Sequence, residues 1–231
     1  LAVLPRLEYP QLKTIIFAGE PCDQKTGEYW LSKCKLYNYY GPTEATIYAT
    51  GKLVEKRNVN EIGKPIPNTQ AYILDNKLNP VPVGTIGELY LGGRGIARGY
   101  LNRPELNLER FIPNPFNESN REDHSSRLYK TGDLVRWLSD GNIEYIGRND
   151  FQIKVRGFRI ELSEIEAEIS KMQEFKQFCV RAKNLKNEKE LICFYVTSTV
   201  DIDISVVKNK LKKRLPAYMI PSKWQSISEM P

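Results

Sequence analysis

Only one of the 231 residues is a histidine, His124. A lone histidine excludes histidine-rich zinc sites, and its polar surroundings speak against a Ser-His-Asp triad. Cysteine is scarce too. Cys22, Cys34, Cys179 and Cys193 form no CxxC pair, so neither a cysteine zinc site nor a disulfide framework is expected. Reduced, partly buried thiols of a cytoplasmic protein are expected instead. No apolar run nears the roughly 20 residues that span a bilayer. The opening Leu1-Ala-Val-Leu-Pro-Arg6 has no charged n-region and no small-residue cleavage site, so no signal peptide is expected. It also lacks methionine, and we expect the chain to begin inside a longer protein. There is no internal repeat and no low-complexity segment. Gly63-Lys64 is followed by Pro65, which excludes a Walker A loop. Gly93, Gly95 and Gly99 miss the G-x-G-x-x-G spacing and lie among β-like runs, which excludes a Rossmann loop.

Hydrophobic residues make up 41% and charged residues 27%, a balance that fits a folded globular protein rather than a disordered one. The net charge is +6. Its only cluster is Lys208, Lys210, Lys212, Lys213 and Arg214, interleaved with Val207, Leu211 and Leu215 at four-residue spacing. That pattern predicts an amphipathic helix with a solvated basic face, ending before Pro216. Neither a nucleic-acid partner nor a membrane partner is expected.

Three regions differ in texture. Thr14 to Ala18 reads as a buried strand, Gln24 to Lys35 as a helix and Leu36 to Tyr40 as a second strand, the edge of an α/β layer. Residues 51 to 148 hold short β-like runs at Ala71 to Leu74, Gly87 to Leu91, Leu134 to Leu138 and Asn142 to Ile146. The last two flank Ser139-Asp140-Gly141, a hairpin turn. Residues 112 to 127 read as a loop, and the whole region as a small barrel or curled sheet. From Asn149 the pattern is α+β. Ile153 and Val155 alternate with Lys154 and Arg156, Ser163 to Glu166 reads as a capping box, Ile165, Ile169 and Met172 share a helix face, and Leu191 to Thr197 reads as a strand.

Four stretches are too rich in Gly, Pro and charge to be ordinary core: Asn38 to Glu44, Gly87 to Leu101, Tyr129 to Leu134 and Gly147 to Leu162. A tight turn at Gly41-Pro42-Thr43-Glu44 exposes backbone N–H groups and a hydroxyl suited to phosphate, with a carboxylate suited to Mg²⁺ beside them. Thr131-Gly132-Asp133 offers a carboxylate on a turn that can accept both hydroxyls of a ribose. Taken singly, each is better read as a β-turn with a solvated carboxylate.

In this order the four stretches resemble the adenylate-forming enzyme superfamily, and most closely the adenylation domains of nonribosomal peptide synthetases. Phe17-Ala-Gly-Glu-Pro21 resembles its adenine segment, and Leu215-Pro-Ala-Tyr-Met-Ile-Pro221 its late Leu-Pro-x-Tyr-Met-x-Pro motif. The resemblance implies three parts: the end of a large α/β subdomain (1–50), a β-barrel-like subdomain (51–148) and a small α+β lid (149–231). It implies that ATP and an amino acid form an aminoacyl adenylate, captured by the phosphopantetheine thiol of a peptidyl carrier domain. A condensation domain is expected in the same polypeptide. By motif, Gly19, Glu20 and Tyr40 would hold adenine, Thr43 the α-phosphate, Glu44 Mg²⁺ and Asp133 the ribose. Tyr145 and Arg148 would support ribose and phosphate. Asp150 would be the hinge of the lid, and Lys154 would serve thioester formation. Ile16, Ala18, Tyr39, Ile47 and Tyr48 match side-chain-recognition positions.

The superfamily's Ser/Thr/Gly-rich phosphate loop would lie upstream of this sequence, as would the aspartate that pairs with the substrate amine. The lysine of its Asn-Gly-Lys motif would lie just past Pro231. By itself the chain is therefore expected to be weakly active or inactive. A non-catalytic relic or binding module of the same fold, and a ligase serving CoA or a free-standing carrier, are the alternatives.

Overall fold

The computed structural model describes residues 9–55, 59, 61–117, 126–150, 152–155, 158–185, 188–197 and 202–230. His124, residues 1–6, and Arg156 and Gly157 of the fourth stretch lie outside them. The chain divides into two compact units, Leu1–Asn149 and Asp150–Pro231.

In the first unit, β1 (Thr14–Ala18) leads through α1 (Gln24–Leu31) to β2 (Lys35–Tyr40), and the two strands pair in parallel. Asp23 caps α1 by accepting the Thr26 N–H at 3.0 Å. The helix stops short of Lys35 because the Lys33 and Cys34 amides both turn back to the Trp30 carbonyl, and the Lys35 amide already pairs with the Lys13 carbonyl. The composition of β1 predicts a buried strand, whereas among the described residues one of its two faces is exposed. Among the described residues it stands at one end of the sheet, with Thr14, Ile16 and Ala18 exposed, Ile16 at 55%. Ile15 and Phe17, on its other face, pack on the core of Trp30, Leu36, Val54 and Val59.

The sheet continues through β3 (Thr50–Leu53), β4 (Glu61–Pro65), β5 (Thr69–Leu74), β6 (Gly87–Gly93), β7 (Phe111–Pro113), β8 (Arg127–Trp137) and β9 (Ile143–Arg148), with α2 (Pro104–Arg110) before β7. Among the described residues it has nine strands in the order β1-β2-β3-β4-β9-β8-β6-β5, with β7 also on β8. Strand β3 spans residues 50 and 51, so the sheet runs unbroken from the α/β layer into the β-rich region. Ile62, Ile73, Leu89, Leu91, Val135 and Ile143 fill its core. The β8–β9 hairpin turns at Ser139-Asp140-Gly141, where Gly141 takes a φ of +79° that side chains disfavour. Two expectations fail here. Thr131-Gly132-Asp133 lies inside β8 rather than on a turn, because Gly132 (φ +77°) and a register shift at Leu134/Val135 absorb the irregularity within the ladder. The stretch 112–127 is not all loop, since Ile112 and Pro113 pair with Leu128 and Arg127.

In the second unit, β10 (Gln152–Val155) and β11 (Phe158–Glu161) form a two-stranded ribbon. Then come α3 (Leu162–Ile169), β12 (Phe175–Leu185), β13 (Glu188–Thr197), α4 (Ile204–Lys212) and β14 (Lys223–Ser226), with β12, β13 and β14 in one sheet. Ile160, Ile165, Ile169, Val180, Cys193 and Leu211 form its core. The capping box does not form. The helix begins at Leu162, so Ser163 sits within the first turn, and Glu166 accepts the Val180 N–H of β12 at 2.8 Å instead. Helix α4 has the expected faces, with Val207 and Leu211 buried. Its basic face is partly neutralised, as Lys210 pairs with Glu174 at 2.5 Å and Arg214 with Glu168 at 3.3 Å.

Candidate active site

Strand β2 delivers Tyr40 to the sheet's end, and Gly41-Pro42 turn the chain into a single 3-10 turn at Thr43–Ala45. Only glycine fits at position 41, because a Cβ there would stand 2.5 Å from the Ile47 carbonyl oxygen and 2.7 Å from the Ala49 nitrogen. Thr46 (φ +57°) and Ile47 (φ +71°) follow in the left-handed region, which non-glycine residues adopt at a cost. The Ala49 N–H closes the loop on the Tyr40 carbonyl at 2.7 Å. Thr43 is left exposed and Glu44 buried.

The second stretch packs onto this loop. The Ala97 N–H donates to the Glu44 carbonyl at 2.9 Å, and the Thr46 hydroxyl to the Gly95 carbonyl at 2.6 Å. The Tyr100 hydroxyl donates to the Glu44 carboxylate and lies 3.3 Å from the Tyr129 hydroxyl. Asn107 of α2 grips Tyr100 at both ends of its backbone, accepting its N–H at 2.6 Å and donating to its carbonyl at 2.9 Å. Burial, then the bond to Glu44, pushes the Tyr100 phenol far up, so it stays a donor. Sequence reasoning singled out the Gly87–Leu101 stretch but assigned Tyr100 no role, and nothing in the sequence marks Asn107.

Asp133 gathers the other half. It and Arg148 are register partners across β8 and β9. Arg148 donates through Nη1 to Asp133 Oδ1 at 2.6 Å and through Nη2 to the Thr131 carbonyl at 3.0 Å. The Tyr40 hydroxyl donates to Asp133 Oδ2. The Thr131 hydroxyl accepts the Asp133 N–H at 3.0 Å and donates to the Leu89 carbonyl at 2.7 Å. Asp133 is 4% and Tyr40 7% exposed. Burial, followed by the Asp133 charge, raises the Tyr40 phenol well above its ordinary value. The Tyr145 ring lies 6.5 Å from that of Tyr40.

The remaining positions fall in four places. Ile16, Ala18 and Tyr39 project from one face of the β1–β2 pair, where Ala18 is opposite Tyr39, and the Tyr48 ring lies 5.0 Å from that of Tyr39. Ile47 and Tyr48 are exposed on the strained loop. Gly19 (φ +90°) and Glu20 follow β1 directly. Asp150 and Lys154 belong to the second unit, Asp150 accepting the Gln152 N–H at 3.1 Å and Lys154 lying opposite Arg159 in the ribbon. Among the described residues, no three His, Cys, Asp or Glu side chains cluster as a metal cage. No described helix is long and apolar enough to cross a membrane.

Residues 4–101 match the family described as AMP-binding enzyme. Bacitracin synthase 3 of Bacillus licheniformis is 42% identical over 231 residues, which is 100% of this chain and 4% of that synthase. Over residues 4–101 the chain belongs to the AMP-binding enzyme family. Among solved structures of adenylate-forming enzymes, the Vibrio cholerae adenylation domain AlmE, in complex with glycyl-adenosine-5'-phosphate, superposes with a TM-score of 0.83 at 26% identity, covering 96% of this chain and 43% of AlmE. NpsA-ThdA, an artificially fused adenylation–PCP di-domain of a nonribosomal peptide synthetase from Klebsiella oxytoca, superposes with a TM-score of 0.78 at 26% identity, covering 92% and 40%. The fold is thus the adenylate-forming fold in part, and the chain spans a small fraction of the synthetase it matches.

Proposed function

We propose that this chain is part of an adenylation domain that activates an amino acid in nonribosomal peptide synthesis. The observation that carries the reading is the joined pair of networks, Glu44 with Tyr100 and Asp133 with Tyr40 and Arg148, at the end of β2. Its parent would form aminoacyl-AMP from ATP and an amino acid, with loss of pyrophosphate, and pass the acyl group to a carrier-bound phosphopantetheine thiol. The similarity to an adenylation–PCP di-domain supports a carrier partner. A condensation domain in the same polypeptide and a cytoplasmic location belong to the same proposal. So does the division into 1–50, 51–148 and 149–231.

The residue roles are those that the motif resemblance implies, and the chemistry of several is consistent with them. Asp133 already accepts from Tyr40 and Arg148, one on each oxygen. A carboxylate, with about four lone-pair sites, is the kind of group that can accept both hydroxyls of a ribose. Arg148 and Tyr145 steady that carboxylate and the ribose. Gly19 and Glu20, with Tyr40, take the adenine, and Thr43 donates to the α-phosphate from its exposed turn. Ile16, Ala18, Tyr39, Ile47 and Tyr48 meet the amino-acid side chain. Asp150 acts as the hinge and Lys154 in thioester formation. Glu44 fits Mg²⁺: it is a single hard-oxygen ligand oriented by Tyr100, and Mg²⁺ commonly takes only one or two carboxylates beside substrate phosphates. When bound, the ion neutralises phosphate charge. The chain's own contribution is positioning and fixed charge, the terms that dominate such transfers.

Exchange of labelled pyrophosphate into ATP by the complete parent protein tests the reading. One amino acid should support exchange well above the others. Exchange with none of them would overturn it.

A further inference from the structure

The two compact units meet in sequence between Asn149 and Asp150. A rotation confined to one residue needs the residue before it held still. Asn149 is held twice, its N–H donating to the Gly132 carbonyl at 3.0 Å and its Nδ2 to Glu88 Oε2 at 3.0 Å. Glu88 is itself fixed, because its Oε1 accepts the Gly132 N–H at 3.0 Å and Lys130 Nζ stands 3.9 Å from Oε2. Its side chain is only 12% exposed. One carboxylate on β6 therefore joins the residue next to Asp133 to the last residue of the first unit. Past the boundary, Asp150 accepts the Gln152 N–H, a turn local to the second unit.

We propose that Glu88 is a positioning residue that clamps Asn149 as the fixed side of the hinge and so governs the thioester-forming half-reaction. The inference rests on reading Asp150 as that hinge. Glu88 touches neither nucleotide nor amino acid in this scheme. Its effect should appear when the second unit must turn and be small when only adenylate forms.

The test uses the complete adenylation–carrier protein and the variants Glu88→Gln, Asn149→Asp and the two combined. In Glu88→Gln, the amide oxygen still accepts the Gly132 N–H, but the amide nitrogen can bond Asn149 only if the Asn149 amide turns over, and the charge-assisted bond is lost. In Asn149→Asp, two carboxylates face each other. In the double variant the Gln amide donates to the Asp carboxylate, restoring the bond with donor and acceptor exchanged. Each single variant should slow carrier loading about tenfold, the worth of one charge-assisted bond, while pyrophosphate exchange stays within about twofold. The double variant should recover most of the loading. Amide hydrogen exchange at Asn149 should quicken in each single variant and slow again in the double. Parallel loss of both half-reactions, unchanged loading in the single variants, or a double variant no better than they are would overturn the clamp. A wild-type protein inactive with every amino acid would instead sink the functional reading, and hydrogen exchange at Asn149 would still decide whether the clamp exists.

Discussion

Asp133 and Arg148 face each other across two strands, with Arg148 Nη1 2.6 Å from Asp133 Oδ1 and both side chains nearly buried. Removing one partner of such a pair leaves a buried charge uncompensated, at a cost of about 3–5 kcal/mol. Arg148→Ala should therefore lower the unfolding free energy by that order in urea titration. Arg148→Lys should recover part of it, since an ammonium cannot span Asp133 and the Thr131 carbonyl as the guanidinium does. Equal stability of the alanine variant and the wild type would show the pair to be solvated.

Three tyrosines make the fold sensitive to alkali. The Tyr40 and Tyr100 phenols are raised far above the ordinary value, and burial with the Glu88 charge pushes Tyr90 up to about 12. An unfolded tyrosine ionises near pH 10, whereas these stay protonated in the fold. Their stabilisation is thus complete below about pH 10 and falls by about 1.4 kcal/mol per pH unit for each phenol above it, Tyr90 reaching its limit near pH 12. Urea midpoints at about pH 9 and about pH 11 should differ sharply, and Tyr90→Phe should lessen the difference. A flat profile over that range would contradict it.

Much of the site was legible because its motifs are local. Gly41 to Glu44, Asp133 and Arg148 could each be marked by residue type and order. Their assembly was not, since Tyr40 and Asp133 are 93 residues apart and only the sheet order brings them together. The exposure of Ile16 was invisible for a related reason: a β-branched run reads as buried whether its strand is central or at an edge. Gly132 misled in the opposite direction, because a glycine that signals a turn can equally supply one positive-φ step inside a long strand.

The fate of Ser163 and Glu166 is a local pattern overruled by tertiary contact. Both fit a capping box, yet Glu166 satisfies the Val180 amide of β12, and Ser163 lies inside the helix. Ser163→Ala should change stability by less than about 0.5 kcal/mol, as an ordinary helix-surface substitution does. Glu166→Ala strands a buried amide and should cost about 1–3 kcal/mol. Comparable losses for the two variants in thermal unfolding would restore the capping box.

Tyr100 offers the sharpest test of how Glu44 is used. Its hydroxyl donates to the Glu44 carboxylate, and Asn107 fixes its backbone from α2, so the phenol is a preset support. Tyr100→Phe keeps the ring against Phe111, 5.5 Å away, and removes only the donor. Losing a hydrogen bond to a buried charge should cost the fold about 1–3 kcal/mol. If Glu44 binds Mg²⁺ in the parent protein, the carboxylate also loses its fixed orientation. The Mg²⁺ concentration for half-maximal pyrophosphate exchange should then rise about tenfold, as losing a ligand's supporting partner does in other metal sites. The rate at saturating Mg²⁺ should change much less. A variant that loses stability but keeps the wild-type Mg²⁺ dependence would show that Tyr100 only packs the loop, and that Glu44 takes its orientation from elsewhere.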